Sequence, residues 1–340
     1  MATIRDVAQA AGVSLQTVSN VIHGKYFVTA GTRQRVEKAI VQLQYRPSRV
    51  AQGMRRQSSR ALGLIVADPN PRGLADPFYG EVLAGMLEAA RADNYSLLID
   101  YLPSDRPLSA QDLSLPIATR QIDGAVVFIS AMVTGHTAIL EHLAQTQGVF
   151  AVLERDVEGS AVYSVQAANY DGAQAAARAL IESGHRRIAF LDSSQHWPSV
   201  DLRWQGYQAA MREHGLADHI AAFTSPDWTA EGGAQAALAL LASHTASRPT
   251  AVLAATDLLA VGAMQVFKAH GLRIPAEMAV IGFDDFEFAR YVDPPLTTVR
   301  LPVYEMGKRA AEYLLSHLQG RPSLVKRVVL PTELVIRQSS

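Results

Sequence analysis

The apolar residues of this 340-residue chain change their period near residue 60. Before that point they recur only at helical spacing. Beyond it, short apolar runs at 62–67, 95–99, 124–129, 150–153, 187–191, 251–255 and 278–281 alternate with longer alanine-rich stretches of helical period. Such alternation is the pattern of parallel sheets wound with crossover helices. The chain therefore divides into a small all-α unit and a larger α/β body. With 49% hydrophobic residues it can bury more than one core, which excludes a disordered chain. Asp68, Asp100, Ser130, Glu154, Asp192, Thr256, Asp257, Asp284 and Asp285 stand at or just past the ends of the expected strands. Doubly wound sheets bind ligands at the C-terminal ends of their strands, so one concave polar site is expected there.

Charge divides at the same boundary. Residues 1–60 carry ten Lys and Arg against only Asp6 and Glu37, a surplus of eight, whereas the other 280 residues hold 21 basic and 30 acidic groups. A basic head on an acidic body suits a polyanion at one end and a small or uncharged partner at the other. Within the head, Thr3 and Asp6 form a capping pair ahead of Ile4, Val7, Ala8 and Ala11, which share one helical face, and Gly12 stops that helix. Ser14 is the next N-cap, opening a helix over 15–22 with Val18, Val21 and Ile22 inward. A third helix is expected from near Thr32, with Val36, Ala39, Ile40 and Leu43 on one face. The first two helices with their tight turn make a helix-turn-helix layout. Leu15, Gln16, Ser19 and Asn20 are expected on the outward face of the second helix. Gln and Asn can each pair bidentately with adenine, and Leu can touch a thymine methyl. One polar quartet alone reads as a solvated face; the adjoining charge and the turn favour base reading.

Pro47 and Ser48 precede Arg49-Val-Ala-Gln-Gly-Met-Arg-Arg, a segment too short to be a stable helix alone. Its spacing by itself favours a basic linker. The alternative is a helix that orders on DNA and inserts Met54 into the minor groove. The chain has no cysteine, hence no disulfide framework and no thiol nucleophile. Phosphate-binding glycine loops, a zinc-protease helix and a nucleophile elbow are all missing, and the ten histidines show no metal spacing. No cofactor and no metal are expected. No apolar run approaches the ~20 residues of a membrane span, and Met1–Asp6 carries no export signal, so the expected location is the cytoplasm.

The runs Thr3-Ile-Arg-Asp-Val-Ala-Gln-Ala-Ala-Gly-Val-Ser-Leu-Gln-Thr-Val-Ser-Asn, Thr32-Arg, Arg35-Val-Glu-Lys-Ala and Tyr45-Arg-Pro-Ser-Arg-Val-Ala resemble the headpiece and hinge of the lac/galactose repressor (LacI) family of bacterial transcription regulators. That resemblance implies Leu15, Gln16 and Asn20 as base-reading residues and Thr17, Ser19, His23, Tyr45 and Arg49 as phosphate contacts. It also implies a hinge helix over Arg49–Arg56, with Val50, Ala51 and Met54 at the minor groove. Two departures bear on the hinge: Met54 stands where the family has Leu, and Gly53 costs a helix ~1 kcal/mol relative to Ala.

The body continues the resemblance in Asp76-Pro-Phe-Tyr, Asn169-Tyr-Asp-Gly, Gly184-His-Arg-Arg-Ile-Ala, Arg203-Trp-Gln-Gly-Tyr, Ala255-Thr-Asp, Ile281-Gly-Phe-Asp-Asp, Pro295-Leu-Thr-Thr-Val and Leu330-Pro-Thr-Glu-Leu-Val-Ile-Arg. It implies a periplasmic-binding-protein-like core of two doubly wound parallel-sheet subdomains, three crossover strands and a ligand cleft between them. The expected boundaries are a headpiece at 1–46, hinge and linker at 47–60, and an effector-binding core at 61–340. Within the core, the N-subdomain covers about 61–163 and 293–324, and the C-subdomain about 164–292 and 325–340. By resemblance Phe78, Tyr79 and Trp228 pack on the effector while Arg203 and Asp284 hydrogen-bond it. Ser130, Glu154, Ser199 and Thr256 are secondary lining candidates, Glu154 standing where the family has Asp and Thr256 where it has Asn. Aromatic walls with a bidentate Arg and a carboxylate suit the C–H faces and hydroxyls of sugars. From the residues alone, the three aromatics read equally as core and Arg203 with Asp284 as a structural ion pair.

The expected function is a sequence-specific DNA-binding repressor. It binds a pseudo-palindromic double-stranded operator as a homodimer and is switched allosterically by a small effector, a sugar or sugar derivative. It is not expected to be an enzyme or to meet a membrane, and it joins the nucleoid when bound to DNA. A nucleobase-responsive regulator acting by corepression is the alternative within the family. A sugar- or nucleotide-converting α/β enzyme is the remote one.

Overall fold

The computed structural model describes residues 2–22, 27–45, 58–69, 73–102, 107–130, 132–133, 135–146, 148–157, 162–195, 197–243 and 248–340. The chain forms two compact units that divide between Ser59 and Arg60.

In the first unit three helices enclose a small core. Helix α1 (Ile4–Ala11) begins with a reciprocal cap: the Asp6 carboxylate accepts from the Thr3 N–H at 2.7 Å, and Thr3 Oγ1 accepts from the Asp6 N–H at 3.4 Å. It ends at Gly12, whose φ of 62° is the left-handed conformation a glycine adopts without strain. Helix α2 (Leu15–Ile22) starts where Ser14 Oγ accepts from the Thr17 N–H at 3.2 Å. Helix α3 (Ala30–Gln42) starts two residues before the expected Thr32, because Thr29 supplies the cap by accepting from the Thr32 N–H. Val7, Val18 and Val36 are fully buried where the three helices meet. Full burial of each stabilises the unit by roughly 1.5–3 kcal/mol, most of what so small a core has.

The second unit is two α/β lobes. The first sheet contains β1 (Ala61–Ala67), β2 (Ser96–Leu102), β3 (Gly124–Ile129), β4 (Phe150–Leu153) and β5 (Tyr163–Ala167), joined at the edge by β11 (Arg327–Leu330), in the order β2-β1-β3-β4-β5-β11. The second contains β6 (Ile188–Ser193), β7 (Ala221–Ser225), β8 (Ala251–Ala254), β9 (Ala279–Asp284) and β10 (Thr297–Arg300), joined by β12 (Glu333–Val335), in the order β7-β6-β8-β9-β10-β12. All pairings are parallel except β10 with β12. Central strands such as β1 are buried on both faces, which is why they read as unbroken apolar runs rather than alternating ones. Helices α4 (Pro77–Ala92), α5 (Ala110–Ala118), α6 (His136–Leu143) and α11 (Val303–Leu318) belong to the first lobe. Helices α7 (Asn169–Glu182), α8 (Pro198–Glu213), α9 (Ala230–Leu241) and α10 (Asp257–Ala269) belong to the second. Among the described residues no helix is long and apolar enough to cross a membrane.

The chain passes between lobes three times: after β5, after β10 and after β11. The crossings fall later than the sequence boundaries of 163, 293 and 325. Strand β5 finishes the first sheet at Ala167, β10 finishes the second at Arg300, and β11 returns to the first sheet before β12 ends in the second. Five strands, β5, β7, β10, β11 and β12, lie outside the seven apolar runs. Three to five residues long and carrying Ser, Gln, Thr, Arg or Glu, they give too little periodic signal to stand out. Asp100 and Asp192 lie inside β2 and β6, which run past the ends read from the sequence.

Candidate functional site

Each sheet reverses its winding between its first and third strands, β1 and β3 in one lobe and β6 and β8 in the other. Ligands bind beyond the carboxyl ends of such strands, where diverging loops leave a crevice. In the first lobe Ser130 ends β3, fully buried, its hydroxyl accepting from the Met132 N–H at 3.3 Å and its N–H donating to the Ala67 carbonyl beside it. In the second, Ala255 follows β8 and presents its carbonyl to Arg203.

A chain of buried polar groups links the lobes at these ends. Glu154, just past β4, accepts from the Ala167 N–H at 2.8 Å, from Asn169 Nδ2 at 2.7 Å and from the Ser199 hydroxyl. Asn169, the first residue of α7, turns its Oδ1 to Arg203 Nε at 2.8 Å. Arg203 projects from α8, donates to the Ala255 carbonyl at 2.5 Å, stacks over the Phe283 ring at 4.0 Å and lies 3.6 Å from Asp284. Burial pulls the Arg203 guanidinium down, opposed mainly by Asp284 and Glu154. Burial pushes Asp284 well above the usual carboxylate range. Arg203 opposes that shift and the neighbouring Asp257 adds to it. Glu154 is likewise raised by burial, with Arg203 opposing. One guanidinium thus serves several carboxylates that water no longer solvates, and a ligand donating hydrogen bonds to them relieves that shortage.

Backbone strain gathers at the same carboxylates. Glu154, Asp284 and Asp285 have φ of 55°, 130° and 60°, angles that side chains rarely tolerate and that surrounding contacts must hold. Asp257 is one such contact. Fully buried at the start of α10, it accepts from Thr298 Oγ1 at 2.5 Å and from the Phe286 N–H at 3.2 Å, pinning the loop after β9. Only glycine fits opposite it, since a Cβ on Gly282 would lie 2.3 Å from Asp257 Oδ1.

The apolar part of the site is a ring cluster. Phe78 and Tyr79, in the first turn of α4, meet edge to face at 5.7 Å, and each contacts Phe128 of β3, at 5.6 and 5.1 Å. Phe128 in turn meets Trp197, the residue before α8 on the opposite lobe, at 5.0 Å. Trp228, in the loop after β7, is half-buried, and among the described residues nothing accepts from its buried indole N–H. Beside this cluster an open groove of about 810 Å³ runs along Pro77 and Glu81 of α4, the 284–291 loop and the crossing at Leu301 and Pro302, sharing Asp284 with the polar chain.

Of the residues singled out in the sequence, Arg203 and Asp284 come together with Glu154 and Ser199, and Phe78 with Tyr79. Thr256, just past β8, caps α10 with its side chain, accepting from the Leu259 N–H at 3.3 Å. Sequence reasoning missed Asn169, Phe128 and Trp197 as site residues, and placed Asp257 at a strand end without a role. Asn169 stood in a quoted run and Trp197 precedes the helix-opening Pro198, but Phe128 is hidden in a continuous apolar strand.

On the first unit, Leu15 is 44% exposed and Gln16 is exposed, with Gln16 Nε2 donating to Asn20 Oδ1 at 3.0 Å, so the two amides are held on one face. Thr17 is half-buried, its hydroxyl 2.9 Å from Ser14 Oγ, and Tyr45 is half-buried against the helical core. The outward placement of Ser19 is corrected: only 7% exposed, it belongs to the buried side of α2, since position 19 adjoins Val18 on the inward stripe. His23, Arg49, Val50, Ala51 and Met54 lie outside the described residues.

A helix-turn-helix unit joined to a two-lobed α/β domain with a cleft at its strand ends defines a ligand-responsive DNA-binding regulator. Residues 3–48 match the model of bacterial regulatory proteins of the lacI family, and residues 177–340 match the periplasmic binding protein-like domain. The chain is 33% identical over 344 residues to the ribose operon repressor of Haemophilus influenzae, covering 100% of this chain and 98% of that protein. It is 32% identical over 339 residues to the HTH-type transcriptional repressor CytR of Escherichia coli strain K12, covering 100% of this chain and 96% of that one. Among solved structures, the lac repressor dimer bound to operator and the anti-inducer ONPF superimposes with a TM-score of 0.87 at 27% identity, covering 99% of this chain and 98% of that one. The chain belongs to the lacI family of bacterial regulatory proteins and is a DNA-binding transcriptional regulator.

Proposed function

We propose that this protein is a homodimeric repressor that reads a pseudo-palindromic operator and acts in the cytoplasm, associated with the nucleoid when bound. Its operator affinity is set by a small effector, a sugar or sugar derivative, held between the lobes. It carries out no chemical conversion. The observation that supports this best is the Glu154–Asn169–Arg203–Asp284 chain, buried at the strand ends of both lobes and flanked by aromatic rings. Buried charges of this kind are costly unless they have a task, and hydroxyl recognition is one they fit.

In this reading Arg203 and Asp284 hydrogen-bond the effector, Glu154 and Ser199 carry the bond network across the lobes, and Phe78, Tyr79 and Trp228 form walls, with Ser130 at the floor. Leu15, Gln16 and Asn20 read base edges. Thr17, Tyr45, His23 and Arg49 contact phosphate, and Val50, Ala51 and Met54 enter the minor groove. Effector binding alters how the lobes close and thereby how readily the paired hinges order on DNA.

The test is fluorescence anisotropy of duplexes tiling the DNA upstream of neighbouring genes. The full-length protein is expected to select one duplex, with affinity falling by ~0.9 log units per phosphate contact for each log unit of salt. Gln16→Ala with Asn20→Ala is expected to erase the selectivity and keep the salt dependence. Equal affinity of the unsubstituted protein for every duplex contradicts the reading.

A further inference from the structure

Asp284, the carboxylate beside Arg203, ends β9 at a corner whose φ is 130° at Asp284 and 60° at Asp285. Such a corner keeps its shape only while its neighbours hold it. Two of the holding bonds reach its backbone: the Phe286 N–H donates to Asp257, and the Leu301 N–H donates to the Asp284 carbonyl at 3.2 Å. The others are ionic. The Asp285 carboxylate is fully buried between two guanidiniums, one oxygen accepting from Arg300 Nε at 2.7 Å and the other from Arg337 Nη2. Arg300 is 42% exposed and shared with Glu333, whereas Arg337 is 13% exposed. Water screens the first pair more than the second, so Arg337 is the firmer hold on Asp285.

Arg337 is itself fixed by the segment that follows β12. Its N–H donates to Thr297 Oγ1 at 2.9 Å and its Nη1 to the Leu296 carbonyl at 2.7 Å. Two residues on, the fully buried Ser339 hydroxyl accepts from the Thr297 N–H at 2.8 Å and donates to the Val280 carbonyl at 2.6 Å, tying the segment to β9 and β10. Resting on the effector reading above, we infer that Arg337 is a positioning residue for the effector: through Asp285 it fixes the corner that aims Asp284, and so sets how tightly the Asp284 carboxylate bonds a ligand hydroxyl. A hydrogen bond weakens steeply once its distance and angle are lost, so a loosened corner costs affinity even where the fold survives. The segment after β12 thereby takes part in reading the ligand as well as in completing the second sheet.

The experiment uses the full-length protein with ribose, glucose, cellobiose, glucose 6-phosphate and adenosine as probes. Each probe that raises the melting temperature and changes tryptophan emission is titrated, since Trp197 stands in the cleft. Affinities are compared at a temperature where every variant is folded. Arg337→Gln removes the charge and keeps much of the side chain. It is expected to weaken binding about tenfold or more, the loss that follows when a hydrogen bond to a charged group is no longer well aimed. Ser339→Ala loosens the same segment and leaves the Arg337–Asp285 pair in place. It is expected to lower the melting temperature and keep affinity within about threefold. Should Arg337→Gln fail to fold, Asp285→Asn gives the same readout, since asparagine tolerates the left-handed corner and gives up the charge. A variant at Arg337 or Asp285 that binds as tightly as the unsubstituted protein overturns the inference and leaves the effector cleft standing. Equal losses of affinity in Arg337→Gln and Ser339→Ala also overturn it, because the segment then acts only by stabilising the lobe. Failure of every probe to bind overturns both this inference and the effector reading.

Discussion

The two lobes repeat one topology and present opposite chemistry. Both wind their first five strands in the same spatial order and accept a sixth from the C-terminal segment, and both open their crevice between the first and third strands. At those openings the first lobe supplies mainly rings, Phe78, Tyr79 and Phe128, while the second supplies Arg203, Asp284, Asn169 and Asp257. Glu154 and Trp197 are the exceptions, a carboxylate of the first lobe whose bonds reach Asn169 and Ser199 on the second, and a ring of the second lobe that meets Phe128 on the first. A shared backbone thus fixes where a ligand sits and leaves side chains to decide what each wall offers. Closure around a ligand must satisfy both walls at once, which suits a switch better than a rigid pocket.

This contrast can be broken at its polar end with the largest effect. Arg203→Ala removes the cation beside the buried Asp284 and Glu154 and the donor to Asn169 Oδ1, and urea denaturation is expected to show a loss of about 3–5 kcal/mol. Phe128→Leu on the apolar wall keeps most of the buried volume and is expected to cost under about 1.5 kcal/mol. Equal losses would mean that the walls do not differ as described.

A smaller effect comes from Asp257. Burial raises its pKa from 3.8 to about 6, with the Asp285 charge adding and the Thr298 and Phe286 hydrogen bonds opposing. The folded protein then holds that proton more tightly than the unfolded chain. Its contribution is fully present below about pH 4 and is lost as pH rises through about 6. Measured from pH 4 to 7.5, the stability of the unsubstituted protein is expected to fall relative to Asp257→Asn by up to about 3 kcal/mol. A difference between the two proteins that stays constant with pH would contradict this.

Legibility in the sequence followed how local each signal was. The Thr3–Asp6 cap, the Gly12 stop and the Ser14 cap were all readable because each depends on residues within three positions. Strands such as Gly124–Ile129 and Phe150–Leu153 were readable as buried apolar runs. The crossings were not, because Tyr163–Ala167 and Arg327–Leu330 owe their strand conformation to pairing with each other across more than 150 residues. In the cleft, the partners Arg203 and Asp284 came from family resemblance. Spacing alone did not separate a ligand pair from an ion pair, nor a helix cap from a lining residue at Thr256, since both share the same chemistry at a strand end. Phe128 and Trp197 acquire meaning only when the lobes face each other.

Everything proposed for the cleft matters only if its state reaches the DNA. The direct measurement is the affinity of the full-length protein for its selected duplex, by anisotropy, with and without a compound shown by thermal shift to bind the cleft. The account predicts a change of roughly 5- to 150-fold, the range that a coupling of about 1–3 kcal/mol produces. A compound that raises the melting temperature yet leaves operator affinity unchanged would contradict it.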